Sequence, residues 1–160
     1  MDVKKLASRL IPGVEGIPVA EAHCDGPCGV YDPASARIAA EAARSMTKKL
    51  LDLAVPDSGD AQAVAAYANT SGRYVAIKEE QAELAKHELL VLWTDYFKPQ
   101  HLEATPNLHE LFWNATKLCS AAKQGVDVDA CDQLMSSIEE IHNVFWASKG
   151  RDDVAFYLAG

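Results

Sequence analysis

The sequence predicts an all-α protein: four amphipathic helices in an up-down four-helix bundle, preceded by a short irregular hook. Three observations carry that prediction. Apolar residues recur at helical spacing in four separate segments, cap and proline signals stand between the segments, and nothing alternates with period two for long enough to make a strand. At 160 residues the chain is a single domain's length, enough to bury a core without disulfide staples. Hydrophobic residues make up 49% and charged residues 24%, an ordinary globular balance.

The first helix starts at Asp32-Pro33, an N-cap residue followed by the residue favoured at the first helical position. Ile38, Ala42, Met46, Leu50 and Leu53 mark its expected apolar face, and Lys48 and Lys49 suit its carbonyl end. Pro56 and Ser58-Gly59 close it. The second helix is predicted from about Asp60 to Phe97, stopped by Pro99. Val64, Tyr67 and Ala68, then Ala82, Ala85, Leu89, Leu92 and Tyr96 mark its inner face, widened by Ile77, Leu84 and Val91. Ser71-Gly72 is a place where it could kink or split, and Glu79 and Glu83 are spaced to pair with Lys86 and His87.

Thr105-Pro106 repeats the cap-then-proline signature. Leu108, Leu111, Phe112, Ala115, Leu118, Cys119 and Ala122 then form the cleanest stripe in the chain, ended by Gly125. A fourth helix from about Asp129 carries Leu134, Ile138, Ile141 and Phe145, with Gly150 as the residue just past its end. The tail from Arg151 is expected to be loosely held. Trp93, Trp113 and Trp146 are expected in packing roles, a solvent-facing member pointing to subunit contacts.

Fifteen Lys and Arg against 23 Asp and Glu give a net charge of −8, which disfavours nucleic acid and anionic membranes as partners. No apolar run approaches the roughly 18 residues of a membrane span. Residues 1–22 form a composition island with Lys4, Lys5, Arg9, Pro12-Gly13 and a small-residue cleavage pattern at Ala20-Glu21-Ala22. Ser8, Arg9 and Pro12-Gly13 break its apolar stretch, so it is no secretory signal. The expectation is a removable leader (a propeptide) over 1–22, a functional domain over 23–160, and a cytoplasmic location.

Directly behind that leader lies His23-Cys24-Asp25-Gly26-Pro27-Cys28-Gly29-Val30-Tyr31-Asp32-Pro33. Cys119 and Cys131 fall in helical patterns and read as small buried apolar residues. His87, His101, His109 and His142 lack the i,i+4 pairing of a helical metal site and read as surface or capping residues. A bare Cys-x-x-x-Cys is a weak signal: half a zinc site without its other half, without the third cysteine of a radical-type iron–sulfur motif, and without thioredoxin spacing. A cut before His23 changes this. One loop would then offer an α-amine, an imidazole, a backbone amide and two thiolates. The amine and the Cys24 amide nitrogen can close a chelate ring, and with the thiolates of Cys24 and Cys28 they make an N₂S₂ plane. Planar nitrogen-containing sites point to nickel(II) or copper(II). The His23 ring could bind axially, with Gly26-Pro27 reversing the chain toward Cys28.

The run from His23 to Pro33 resembles the nickel-binding hook of the nickel-containing superoxide dismutases. Ala82-Glu83-Leu84-Ala85-Lys86-His87 and Leu92-Trp93-Thr94-Asp95-Tyr96-Phe97-Lys98-Pro99 resemble that family's second helix and its end. The similarity runs from His23 to about Lys149. It implies dismutation of superoxide to dioxygen and hydrogen peroxide at one nickel ion per subunit, cycling between Ni(II) and Ni(III), in a homohexamer of four-helix bundles. By the same resemblance the ligands are the His23 amine and imidazole, the Cys24 amide and thiolate, and the Cys28 thiolate. Pro27 carries a cis bond, cheap only before proline. Tyr31 and Tyr96 line the open side of the metal, Asp25 and Lys98 stand around it, and a maturation protease exposes His23. Two positions depart from the family pattern: Ala39 and Gln81 replace the glutamate and arginine that support the axial imidazole. An anionic substrate on a chain of charge −8 needs local attraction, for which Lys98 and Lys86 are the candidates. Two other readings of the same turn are a non-catalytic nickel or copper chaperone or sensor, and an interaction bundle whose hook cysteines form a local disulfide.

Overall fold

Asp32-Pro33 opens the bundle one position later than its sequence predicts, with Pro33 at the N-cap and Asp32 just before it. The Asp32 Oδ1 accepts from the Ala34 N–H at 2.8 Å, and the Pro33 carbonyl accepts the first helical bond from Arg37 at 3.1 Å. The structure, a computed structural model, describes residues 28–159. The leader, His23, Cys24, Asp25 and Pro27 with its expected cis bond lie outside the described residues. Five α-helices follow: α1 (Ala34–Leu51), α2 (Ala61–Val91), α3 (Pro99–Ala104), α4 (Leu108–Gln124) and α5 (Val128–Ser148). No strand occurs among the described residues.

Four of these are the long helices expected. Asp60 and Asp127 cap α2 and α5 by accepting from the Ala63 and Ala130 N–H groups at 3.0 and 3.1 Å. Gly125 ends α4, and Gly150, at φ +70°, ends α5. The long helices touch in the cyclic order α1–α2–α4–α5. With alternating direction, this brings the start of α1, the end of α2, the start of α4 and the end of α5 to one end of the bundle, the hook end. Leu89, Leu108, Leu134, Ile138, Ile141 and Phe145 are fully buried between them.

Several expectations change. The buried residues of α1 are Ala36, Arg37, Ala39, Ala40, Ala43 and Thr47, whereas of the expected face Ile38 is 54% exposed and Ala42, Met46, Leu50 and Leu53 are half-buried. Both rows have helical period. The alanine row wins because small side chains let α1 approach α2, which presents Ala82 and Ala85 as its own buried residues. Ser71-Gly72 does not split α2, which stays one helix of 31 residues. No residue between 61 and 77 is buried, so Val64, Tyr67 and Ile77 are not core. Leu84 is likewise exposed. Thr105-Pro106 stands before a turn rather than at the cap, with Asn107 preceding Leu108. The short α3 was not foreseen. Its entry is set by the Lys98 N–H donating to His101 Nδ1 at 2.9 Å, the capping role expected of a lone histidine.

The expected Glu83–Lys86 pair is replaced by an ion pair across helices, Lys123 Nζ to Glu83 Oε2 at 2.9 Å, while Lys86 donates to Ser120 Oγ at 3.1 Å. His142 is buried rather than superficial, and the tail is not loose. His142 Nε2 meets the Val154 carbonyl at 2.9 Å, the Arg37 guanidinium lies 4.2 Å from the Tyr157 ring centroid, and the Ala159 N–H donates to Glu41 Oε1 at 2.7 Å. Cys119 and Cys131 do sit in the core as small apolar residues. Burial pushes the Cys119 thiol up to about 12 and raises Cys131 as well, so neither is a thiolate near neutral pH.

One core residue has no precedent in the sequence pattern. Lys78 is 2% exposed, and its ammonium donates to the carbonyls of Ala122, Lys123 and Gly125 at 2.9, 2.5 and 2.7 Å. Three donors meet three of the carbonyls that the end of α4 leaves without helical partners. Desolvation lowers the lysine's pKa, with partial compensation from Glu79.

Candidate metal centre

The described chain enters the hook end at Cys28, whose side chain is exposed. Gly29 follows at φ +67° with open space where a Cβ would stand, so conformation alone demands glycine there. The chain turns at once and delivers Tyr31, half-buried, onto the core. Tyr96 comes from the other direction. It ends a five-residue π turn, Leu92–Tyr96, that continues α2 and is closed by the Phe97 N–H on the Leu92 carbonyl at 3.1 Å. Thr94 Oγ1 bonds back to the Leu90 carbonyl at 2.8 Å, and extended Phe97 with Pro99 ends the element.

Tyr31 and Tyr96 therefore meet, ring centroids 5.6 Å apart and tilted by 54°. Tyr96 is held on its other sides by rings: His101 stacks at 5.6 Å and 5°, Phe145 lies at 4.6 Å, and Phe97 meets it edge-on at 5.0 Å. Its hydroxyl lies 2.6 Å from Ser148 Oγ. Lys149 holds its ammonium 5.3 Å from the Tyr96 ring centroid and 4.7 Å from that of Phe145.

The other expected residues divide. Lys98 is exposed, two residues beyond Tyr96. Lys86 is tied to Ser120 on α4 and lies ten residues before Tyr96, about 15 Å along the helix. It does not join the tyrosines. Arg37 is buried against Glu41, at 2.9 Å, and under Tyr157. Ala39 is buried at 1% exposure and Gln81 is half-buried, so neither position supplies a charge. Among the described residues no group of three or more His, Cys, Asp or Glu side chains converges. A cleft of about 550 Å³ lies elsewhere, on the outer face of α1 beside Ile38, Ala42 and Lys49, and contains none of the expected site residues.

Sequence reasoning missed Ser148, Lys149, His101 and Phe145 as neighbours of Tyr96. A usable signal existed for the α5 residues: up-down topology sends the end of α5 to the end where α1 begins.

Set beside known proteins, residues 18–149 match the model of the family described as nickel-containing superoxide dismutase. The chain belongs to that family. The superoxide dismutase [Ni] of Streptomyces seoulensis is 45% identical over 128 residues, 80% of this chain and 88% of that protein. The Streptomyces coelicolor enzyme of the same name is 44% identical over the same shares. Among solved structures, native nickel superoxide dismutase aligns with TM-score 0.69 at 41% identity, covering 81% of this chain and all of the other. An oxidised-state structure of a nickel-containing superoxide dismutase aligns equally well at 43% identity. The resemblance read from the hook thus holds across the bundle. The chain is an oxidoreductase that dismutes superoxide with nickel as its cofactor. The tail beyond residue 149 lies outside the family match.

Proposed function

We propose that the nickel centre is the N-terminal hook, assembled after removal of residues 1–22 by a maturation protease. The His23 amine and imidazole, the Cys24 amide and the thiolates of Cys24 and Cys28 would hold the metal. The donor chemistry fits the metal: two anionic sulfurs and an amide nitrogen suit square-planar nickel, and Cys28 is an exposed thiol at the mouth of the bundle. When bound, nickel supplies the one-electron Ni(II)/Ni(III) couple that dismutation requires, which these strongly donating ligands bring into reach.

The chain's own residues do the rest. Tyr31 and Tyr96 form the wall facing the open side of the hook and restrict what reaches the thiolates, which peroxide would otherwise oxidise. Lys98 offers an exposed cation beside that wall to draw in superoxide against the net charge of −8. With Ala39 and Gln81 in place, the His23 imidazole would receive no charged support from those two positions. The observation that carries the reading is the meeting of Tyr31 and Tyr96 at 5.6 Å, three residues after Cys28.

The subunit is proposed to assemble as a homohexamer in the cytoplasm. Trp113 is 56% exposed, and the first half of α2 buries no residue, surface that subunit contacts would cover. A reducing compartment suits the thiols.

Intact mass and metal analysis of the protein from its native cells tests the centre. The expected result is a chain starting at His23 with one nickel per subunit. A chain retaining residues 1–22 with tight square-planar nickel would sink the amine-ligand assignment. A metal-loaded chain without superoxide turnover would restore the chaperone or sensor reading.

A further inference from the structure

At the end of α5 the Phe145 carbonyl is left without a backbone donor. Gly150 and Arg151 close the helix in a Schellman arrangement, the Gly150 N–H on Ala147 at 2.9 Å and the Arg151 N–H on Trp146 at 2.9 Å. The Lys149 N–H also goes to Trp146, at 3.0 Å, rather than to Phe145. The Phe145 carbonyl is taken instead by the Ser148 hydroxyl at 2.6 Å. A carbonyl cannot donate, so the Ser148 proton lies on that bond. Ser148 Oγ also sits 2.6 Å from the Tyr96 hydroxyl, a distance proper to an O–H···O bond. With its own proton spent on Phe145, Ser148 can only accept there, and Tyr96 must be the donor.

We propose that Ser148 is a positioning residue that fixes the direction of the Tyr96 hydroxyl, so that the phenol turns lone pairs rather than its proton toward the open face of the hook. This rests on the reading that Tyr96 lines that face. An accepting phenol oxygen suits groups that bring their own hydrogen: water, and the product hydrogen peroxide. It offers no hydrogen bond to small anions that would lodge beside the metal. Ser148 therefore makes the wall non-retentive toward anions, which a site that must pass an anionic substrate rapidly requires. It also removes Tyr96 from the candidate proton donors in the resting arrangement. The ring itself is held by His101, Phe145 and Phe97, so losing the serine hydroxyl frees the phenol proton without freeing the ring.

The test uses the processed, nickel-loaded enzyme labelled with ¹³Cζ-tyrosine, and azide as the probe anion. Ser148→Ala should move the Tyr96 Cζ resonance and leave that of Tyr31 in place. It should also strengthen azide inhibition about 3- to 10-fold, the scale of one hydrogen bond gained by the anion. Ser148→Thr, which keeps the hydroxyl, should match the parent on both readouts, and Ser148→Ala should have no effect on azide in a Tyr96→Phe background. A silent Ser148→Ala while Tyr96→Phe alters turnover or azide inhibition overturns the serine's role alone, as does an azide effect that persists without the phenol. A Tyr96→Phe enzyme identical to the parent in both turnover and azide inhibition removes Tyr96 from the site and overturns both readings.

Discussion

The two ends of the bundle are held together by different chemistry. At the far end, polar groups close on one another inside the chain. Lys78 meets three carbonyls at the end of α4, and Asp60 and Asp127 cap the helices that start there. At the hook end the packing is done by rings: Tyr31, Tyr96, Phe97, His101, Phe112 and Phe145 form a continuous aromatic set. Lys149 holds its ammonium 5.3 Å from the Tyr96 ring centroid, and Lys98, two residues beyond Tyr96, is exposed. One end carries stability in hydrogen bonds that cannot be given up. The other keeps a rigid wall of fixed shape and leaves its charges accessible to a small anion. Substitutions at the two ends should therefore have opposite signatures.

The largest effect belongs to the hook. Cys28→Ser should abolish nickel retention and superoxide turnover together. Because Cys28 is exposed, thermal unfolding of the metal-free protein should change by no more than about 0.5 kcal/mol. Nickel analysis beside calorimetry of the apo form checks both halves. Retained nickel, or a large loss of apo stability, would break the division between the ends.

Lys78→Met is the converse. It keeps most of the apolar stem but strands three carbonyls, one at a buried bond and two at part-buried ones, each of which had a charged donor. The expected cost is about 3 kcal/mol, since unsatisfied buried groups cost on the order of 1–3 kcal/mol and these three share partial access to solvent. Nickel stoichiometry and turnover at low temperature should stay at parent values. Denaturant titration read beside activity would show it, and a variant of unchanged stability would mean that water replaces the ammonium at the end of α4.

The same contrast explains what could be read from the residues in order. The donors proposed for the hook are local in sequence, six residues from His23 to Cys28, so that proposal needs no fold. Helix ends were legible for a similar reason, because Asp60 and Gly125 act on neighbours three or four residues away. The buried face of α1 was not. Its alanine row and its Ile38 row share one period, and the choice depends on how closely α2 approaches. Lys78 was hidden because its acceptors lie far along the chain, on a helix end whose position nothing in α2 encodes. The tail was misjudged for the same cause: its polar residues look solvated until His142, Arg37 and Glu41 are found beneath them. Of the expected site residues, Tyr31 and Tyr96 were legible in the sequence, and the fold brings them together. What surrounds them, Ser148 and Lys149 above all, depends on a tertiary neighbour.

The smallest effect sharpens the comparison most, because it asks whether charge at the hook end acts on the substrate or only on the fold. Lys98 and Lys149 both stand near Tyr96, but their settings differ. Lys149 caps the carbonyl end of α5, where the helix dipole offsets part of its charge. Lys98 precedes α3, and its backbone N–H, not its side chain, bonds His101. Lys98→Ala should thus leave the cap and the apo stability intact. It should lower kcat/KM for superoxide about 2- to 3-fold at low salt, the scale of one exposed charge acting on a diffusing anion. The deficit should shrink as ionic strength rises from about 0.01 M to about 0.15 M and the screening length falls from about 30 Å to about 8 Å. Pulse radiolysis across that range decides it. An unchanged rate and salt slope would shift the task of attracting superoxide to Lys149, and a rate deficit that ignores salt would make Lys98 a packing residue instead.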